Sequence, residues 1–138
     1  MTKFFLSSHG HLASGISSSL DILLGAHERL TYFDAYVDEG SLNDALDDFF
    51  AEAEAEDQVI LLSDMYGGSV NSTMYTYLNR PNTTLVAGVN LALVIGLVIL
   101  EEHITREMLE QIVEQSREAI RIVDLEEDGK PEEAEDLF

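Results

Sequence analysis

The chain has 138 residues, enough for one hydrophobic core but short for two. Hydrophobic residues make up 46% and charged residues 25%, as in ordinary globular proteins, which excludes a largely disordered or fibrous chain. The net charge of −20 argues against nucleic-acid and anionic-membrane binding, and the absence of cysteine excludes disulfides and thiolate chemistry.

Short apolar runs alternate with segments of helical periodicity, which is typical of an α/β fold with a mainly parallel sheet. The predicted strands are Lys3–Ser7, Leu30–Val37, Val59–Ser63 and Thr83–Val89. The predicted helices are Leu12–Leu24, one that begins after an N-cap at Ser41, one from Ser69 or Val70 to about Asn79, Leu91–Leu100 and one from Thr105. We expect a doubly wound three-layer sandwich with the strand order 2-1-3-4.

One stretch, Leu85–Leu100, imitates a membrane span. It is only sixteen residues long, contains Asn90 and ends at an acidic pair, whereas a span needs about twenty apolar residues. We therefore predict that this stretch forms two buried elements rather than a membrane span.

No signal peptide is visible at the N-terminus, so we expect a cytoplasmic protein.

The C-terminal region divides into two parts. Ala119–Leu125 could be the end of the last helix or a final strand, and its β-branched residues favour the strand. Residues 126–138 hold seven acids, one base and no apolar periodicity, so we expect a disordered tail after a single domain of residues 1–125.

Two loops carry the polar residues that could perform chemistry. The motif SSHGH, residues 7–11, follows the first strand, and DMYGGS, residues 64–69, follows the third. In doubly wound sheets, ligands bind beyond the carboxyl ends of the strands, where the strand order reverses. With the order 2-1-3-4, these two loops would face each other across that crevice.

His9 is well suited to nucleophilic chemistry in such a crevice. An imidazole is nucleophilic and largely neutral near pH 7, and a carboxylate such as Asp64 would hold its tautomer. The helix starts near His11 and after Gly67 and Gly68 would offer backbone N–H groups to an anion. Neither loop contains Lys or Arg, so backbone amides would have to stabilise the charge of an incoming phosphoryl group.

Other interpretations of these residues stay open. A histidine at a strand end is often structural or solvated, and Asp64 could be only a turn residue or a cap. His11 could belong to the site or be solvated, while His27 and His103 are expected at the surface. His9 and His11 with Asp64 could bind a metal, but no further strong ligand is in an obvious position. A serine hydrolase is disfavoured because the Gly-x-Ser-x-Gly motif is missing.

Three short motifs follow the first, third and fourth predicted strands. They are SHG at residues 8–10, DMYGGS at residues 64–69 and AGVNL at residues 87–91. In this order, they resemble the mannose-family EIIA component of the bacterial phosphoenolpyruvate:sugar phosphotransferase system (PTS). The resemblance covers about residues 1–125, implies a doubly wound fold, and requires no metal or organic cofactor.

The resemblance also implies roles for individual residues. The phosphoryl-carrying histidine of the family corresponds to His9, the histidine that precedes a glycine, and its hydrogen-bonded aspartate corresponds to Asp64. The residues that would line the phosphoryl pocket are Gly10, Gly67, Gly68 and Ser69. The phosphoryl group would come from the phosphocarrier protein HPr and pass to a histidine of an EIIB component, with the membrane components EIIC and EIID involved only indirectly. Family members are typically homodimers that exchange a C-terminal strand.

The sequence departs from the family pattern at two positions. Val70 and Ala92 stand where the family usually has proline, which puts loop geometry and partner recognition in doubt. One alternative is the phosphotransfer subunit of phosphoenolpyruvate-dependent dihydroxyacetone kinase, which shares the histidine-bearing loop. The other alternative is a regulatory or interaction module of the same fold.

The negative charge is unevenly distributed along the chain. Residues 38–57 hold nine acids and no base, whereas residues 1–37 sum to −1 and residues 58–100 to zero. The segments that would build the phosphoryl site are therefore almost neutral. The acidic remainder could steer a basic partner surface towards them.

Overall fold

Four strands and five helices alternate in the computed structural model, which describes residues 1–25 and 29–125. The strands are β1 (Thr2–His9), β2 (Leu30–Ala35), β3 (Gln58–Ser63) and β4 (Thr83–Ala87). The helices are α1 (Leu12–Leu24), α2 (Leu42–Glu52), α3 (Ser69–Tyr75), α4 (Leu91–Val98) and α5 (Arg106–Glu118). All strand pairs are parallel and their order is β2-β1-β3-β4, which confirms the predicted fold class and strand order.

The sheet separates two hydrophobic cores, because successive side chains of a strand point to opposite faces. In β1, Phe4 and Leu6 pack in the core formed with α1, α4 and α5. Phe5 lies between them in sequence and packs in the other core, with α2 and α3. All six residues of β3 are buried, as expected for a central strand covered on both faces. The result is the predicted three-layer sandwich.

Several element ends differ from the predicted ones. β1 continues through His9, and α3 ends at Tyr75 rather than near Asn79. β2 ends at Ala35 instead of Val37 because Tyr36 adopts a left-handed backbone conformation, with φ of 66°. A residue in that conformation cannot continue an extended strand.

The apolar stretch Leu85–Leu100 is divided between two elements, as predicted. β4 ends at Ala87, and Asn90 then caps α4 by accepting a hydrogen bond from the Leu93 N–H at 2.8 Å. The Asn90 side chain also donates to the Ser116 carbonyl at 2.8 Å, which ties α4 to α5. Within residues 1–25 and 29–125, no helix is long and apolar enough to cross a membrane.

The prediction of a final strand over Ala119–Leu125 is wrong for the single chain. Helix α5 ends at Glu118 with Ala119 as its C-cap, and residues 120–125 form neither helix nor strand. A strand needs a neighbouring backbone to pair with, and among the described residues this segment pairs with none. Its apolar side chains are exposed: Ile120, Ile122, Val123 and Leu125. The predicted disordered tail, residues 126–138, lies outside the described residues, as does His27.

Candidate functional site

The site lies where β1 and β3 end side by side. These strands pair in parallel, with Ser7 opposite Ser63, so the residues that follow them emerge at the same edge of the sheet. This register brings His9 and Asp64 into contact although 55 positions separate them. The two loops therefore meet across the crevice, as expected from the strand order.

A single carboxylate oxygen of Asp64 holds His9 in place. Oδ2 accepts the His9 backbone N–H at 2.9 Å and lies 2.7 Å from the imidazole Nδ1. The Asp64 side chain is 10% exposed and that of His9 is 43% exposed. Because a carboxylate accepts only, the neutral imidazole carries its proton on Nδ1 and keeps its lone pair on Nε2.

Asp64 is held in its ionised form. Burial raises the pKa of this carboxyl, but hydrogen bonds from the His9 backbone and imidazole, the positive charge that His9 carries when protonated and the backbone N–H of Asp64 together outweigh that effect. Its pKa therefore lies below the ordinary value of 3.8. The other oxygen, Oδ1, is buried without a hydrogen-bond partner among the described residues.

One hydroxyl group contacts the unprotonated nitrogen of His9, and a second hydroxyl contacts the first. Ser69 Oγ lies 3.1 Å from Nε2, and the Tyr36 hydroxyl lies 2.7 Å from the same Oγ. The Tyr36 ring also packs near the imidazole, with the ring centroids 5.3 Å apart. The sequence analysis missed Tyr36, because aromatic residues are common in strands and the predicted second strand included it. The one signal for a role in the site is its position near the carboxyl end of a parallel strand, where ligands bind.

The predicted glycines shape the two loops in different ways. Gly10 and Gly67 have φ of 63° and 80°, a region that side chains other than glycine rarely adopt. At Gly68, an added Cβ would lie 2.9 Å from Met65 Cγ, too close without a shift of that side chain, and 3.4 Å from His9 Cε1, an ordinary contact distance. The Gly10 N–H donates to the Ala35 carbonyl at 2.8 Å, and this residue therefore serves the turn rather than offering its N–H to an anion.

The two helix starts also differ. The α1 start offers less to an anion than expected, since the Ala13 N–H donates to Ser8 Oγ at 2.8 Å and the Ser14 N–H to Asp34 Oδ1 at 2.9 Å. At α3, the N-cap is Gly68, which has no side chain to bond the first N–H groups of the helix. The N–H groups at the start of α3 therefore receive no side-chain cap, unlike those of α1, and anion binding by them stays a prediction.

His11 forms a separate pair and does not join His9. Its Nδ1 lies 3.0 Å from Asp34 Oδ2, and its side chain is 74% exposed. His103 is exposed between α4 and α5. In the part of the chain that the structure describes, no three His, Cys, Asp or Glu side chains are grouped closely enough to hold a metal ion.

Large apolar side chains remain exposed in the segments around His9. They come from the start of α1 and from the residues that follow β2 and β3. We call this set the apolar rim: Leu12, Tyr36, Val37, Met65 and Tyr66. An exposed apolar surface at a polar site is typical of a protein-binding surface.

Comparison with known proteins places the chain among PTS components. Residues 3–105 match the family model of the PTS system fructose IIA component. The structure is similar to that of a phosphoenolpyruvate-dependent sugar PTS permease from Klebsiella pneumoniae, with 29% identity, a TM-score of 0.80, and coverage of 88% of this chain and 90% of that one.

A second similar structure is the mannose/sorbose specific IIA subunit of the phosphotransferase system from Enterococcus faecalis. Its identity is 24% and its TM-score 0.76, over 93% of this chain and 98% of that one. At this identity the likeness concerns the fold alone. No protein with a curated description matches the sequence.

Proposed function

The chain belongs to the family of PTS system fructose IIA components, and on that premise we propose that it is a phosphoryl carrier of a sugar phosphotransferase system. His9 would accept the phosphoryl group from phospho-HPr and pass it to an EIIB component. One observation carries the proposal: an ionised Asp64, whose side chain is only 10% exposed, accepts from Nδ1 of His9, so the nucleophilic lone pair is on Nε2.

The chemical step follows from this tautomer. The Nε2 lone pair forms the new N–P bond while the P–N bond of the donor phosphohistidine breaks, and the donor nitrogen keeps that electron pair. The proton on Nδ1 stays hydrogen-bonded to Asp64, whose charge offsets the positive charge that the ring gains. The reverse of the same step transfers the group to the imidazole of EIIB.

Neutral donors would hold the phosphoryl oxygens in this proposal. Ser69 Oγ lies 3.1 Å from Nε2, and Ser69 is the first residue of α3, a helix start without a side-chain cap. The lysines and arginines with defined ionic contacts lie elsewhere, with Lys3 beside Asp57 and Arg106 beside Glu110. We expect such a site to bind the group without trapping it, as a carrier requires.

The apolar rim supports protein partners rather than a small-molecule substrate. A half-exposed imidazole within an apolar rim can meet the histidine of HPr and then that of EIIB, both presented on protein surfaces. We place the reaction in the cytoplasm, with EIIC and EIID involved only through EIIB. No nucleic-acid role is proposed for a chain with a net charge of −20.

We further propose a homodimer formed by exchange of residues 119–125. The outer edge of β4 has no strand partner among the described residues, and a groove of about 870 Å³ lies between this edge and α5. Thr84–Ala87 line the groove on one side and Leu109 and Val113 on the other. Residues 119–125 of a second copy could pair with the outer edge of β4. This pairing would cover the groove and the exposed apolar side chains of the segment.

The carrier proposal is tested by labelling. The protein is incubated with labelled phosphoenolpyruvate, enzyme I and HPr, and then with an EIIB protein. We expect acid-labile, base-stable label on the wild type, the signature of a phosphorylated imidazole, and its loss when EIIB is added. His9→Ala should take up no label.

His11→Ala is the matched control, since His11 is also exposed and paired to an aspartate. It should accept label like the wild type. Label that survives in His9→Ala but not in His11→Ala would overturn the site assignment. The absence of label on the wild type would contradict the carrier function and favour a regulatory or interaction module.

A further inference from the structure

Tyr36 adopts a backbone conformation that needs an explanation. Its φ of 66° is unusual for a bulky residue and costs free energy, because Cβ then crowds the backbone. The side chain is 68% exposed, so burial in a core does not compensate. Strain of this kind is found mainly where surrounding contacts serve a function.

Two contacts of Tyr36 lead to the candidate site. Its hydroxyl lies 2.7 Å from Ser69 Oγ, and its ring centroid lies 5.3 Å from that of His9. The left-handed turn directly after β2 is what brings the side chain across to these two residues. One strained residue thus contacts both the nucleophile and the neighbouring hydroxyl.

Which atom donates in each of these hydrogen bonds follows from which atoms carry a proton. Because Nδ1 of the neutral imidazole donates to Asp64, Nε2 can only accept, so Ser69 must donate its single proton to Nε2. Ser69 Oγ can then only accept from the Tyr36 hydroxyl. The chain therefore runs from Tyr36 through Ser69 to His9, and it sets the direction of the Ser69 O–H bond.

We propose that Tyr36 is a positioning residue for phosphoryl transfer, acting through Ser69. The inference rests on the proposed carrier function and deepens it. When Nε2 forms the N–P bond, its lone pair no longer accepts the Ser69 O–H. The Ser69 hydroxyl can then donate to a phosphoryl oxygen beside it. The Tyr36 hydroxyl keeps Ser69 Oγ in that place through the reaction, which lowers the reorganisation that the transition state requires.

A double-mutant cycle tests this proposal. The variants are Tyr36→Phe, which keeps the ring but removes the hydroxyl, Ser69→Ala and the double variant. The readout is the rate of phosphoryl transfer from phospho-HPr, with Tyr32→Phe, a half-exposed tyrosine of β2, as the control. We expect Tyr36→Phe to slow transfer roughly 10-fold in the wild-type background and less than about 2-fold in the Ser69→Ala background.

A second variant separates positioning from a structural role. Tyr36→Gly removes the side chain and relieves the left-handed strain, so we expect slower transfer with an unchanged or higher melting temperature. A lowered melting temperature in this variant would show that Tyr36 is chiefly structural and would overturn the proposal.

The remaining outcomes are distinct. Transfer by Tyr36→Phe at the wild-type rate would overturn the inference and leave the carrier function standing. An equal effect of Tyr36→Phe with and without Ser69 would overturn action through Ser69. A wild-type protein that accepts no label would overturn the carrier function and, with it, this inference.

Discussion

At the scale of single residues, Asp64 performs three tasks with one oxygen atom. Oδ2 accepts both the backbone N–H and the imidazole Nδ1 of His9, which holds the ring in position and selects its tautomer. The same contact links the end of β1 to the loop after β3. A substitution at Asp64 should therefore affect both chemistry and stability.

The first prediction concerns Asp64→Asn. An amide keeps the size of the carboxylate but cannot offset the charge that His9 gains, so we expect phosphoryl transfer to fall about 10- to 100-fold with the fold retained. Transfer kinetics and circular dichroism measure the two effects. Unfolding of the variant at neutral pH would show that Asp64 is mainly structural.

The effect of Asp64→Asn on the free energy of unfolding should depend on pH. Because folding lowers the pKa of Asp64 below 3.8, its stabilisation is complete above that value and is lost as the pH falls through the folded-state pKa. The free energy of unfolding should therefore differ between wild type and Asp64→Asn at pH 7, and the difference should shrink below pH 3.8. Asp48→Asn, on the exposed face of α2, serves as the control. A difference that does not change with pH would contradict the lowered pKa.

At the scale of elements, α1 shows how the surrounding fold completes a helix. Its N-cap residue, His11, forms no capping hydrogen bond, and Ser8 of β1 and Asp34 of β2 accept the N–H groups of the first turn instead. These acceptors come from strands, so the helix sequence alone contains no sign of them. The anion-binding character predicted for this helix start is thereby reduced.

Two helical glycines provide a prediction at this scale. Gly15 lies exposed in α1 with nothing within 4 Å of an added Cβ, whereas at Gly96 in α4 the Cβ would lie 3.2 Å from Ile112 Cγ2 of α5. We expect Gly15→Ala to raise the free energy of unfolding by about 0.5–1 kcal/mol, because alanine loses less backbone entropy. Gly96→Ala should raise the free energy of unfolding by less than Gly15→Ala does, or lower it. Denaturant unfolding measures both, and an equal gain would contradict the close contact between α4 and α5.

Element boundaries could be predicted only where the local sequence decides them. Asn90 marks the α4 start because an N-cap is a local interaction, and α1 has the predicted bounds. The end of β2 could not be predicted, since the left-handed Tyr36 is held by contacts with residues far along the chain.

The two residues that stand where the family usually has proline differ in burial. Val70 is fully buried, whereas Ala92 is exposed at the start of α4.

At the scale of the whole molecule, the open edge of β4 and the apolar segment 119–125 are complementary. We predict that the full chain is a dimer in solution and that deletion of residues 119–138 makes it a monomer, because the exchanged segment is lost. Analytical ultracentrifugation measures the mass. Deletion of residues 126–138 alone is the control and should leave the dimer intact. A full chain that sediments as a monomer, or a dimer that survives the longer deletion, would contradict strand exchange.

Net charge predicts the salt dependence of partner association. Residues 38–57 hold nine acids and no base, whereas the segments that build the site are almost neutral, so the acids could steer a basic partner without repelling the phosphoryl group. We expect the second-order rate of transfer from phospho-HPr to fall as the ionic strength rises, while the rate within the complex stays constant. A second-order rate that does not respond to salt would count against steering.

The sequence by itself determined the order of the elements, the parallel sheet and the two loops with His9 and Asp64. These features follow from local patterns: apolar periodicity, strand and helix alternation, and the rule that ligands bind where strand order reverses. Only the tertiary structure decided which nitrogen of His9 keeps its lone pair, that Tyr36 reaches Ser69, and that residues 119–125 pair with no strand among the described residues. Such details depend on distances of a few tenths of an ångström between residues far apart in the sequence, which are set by strand register and packing rather than by local propensity.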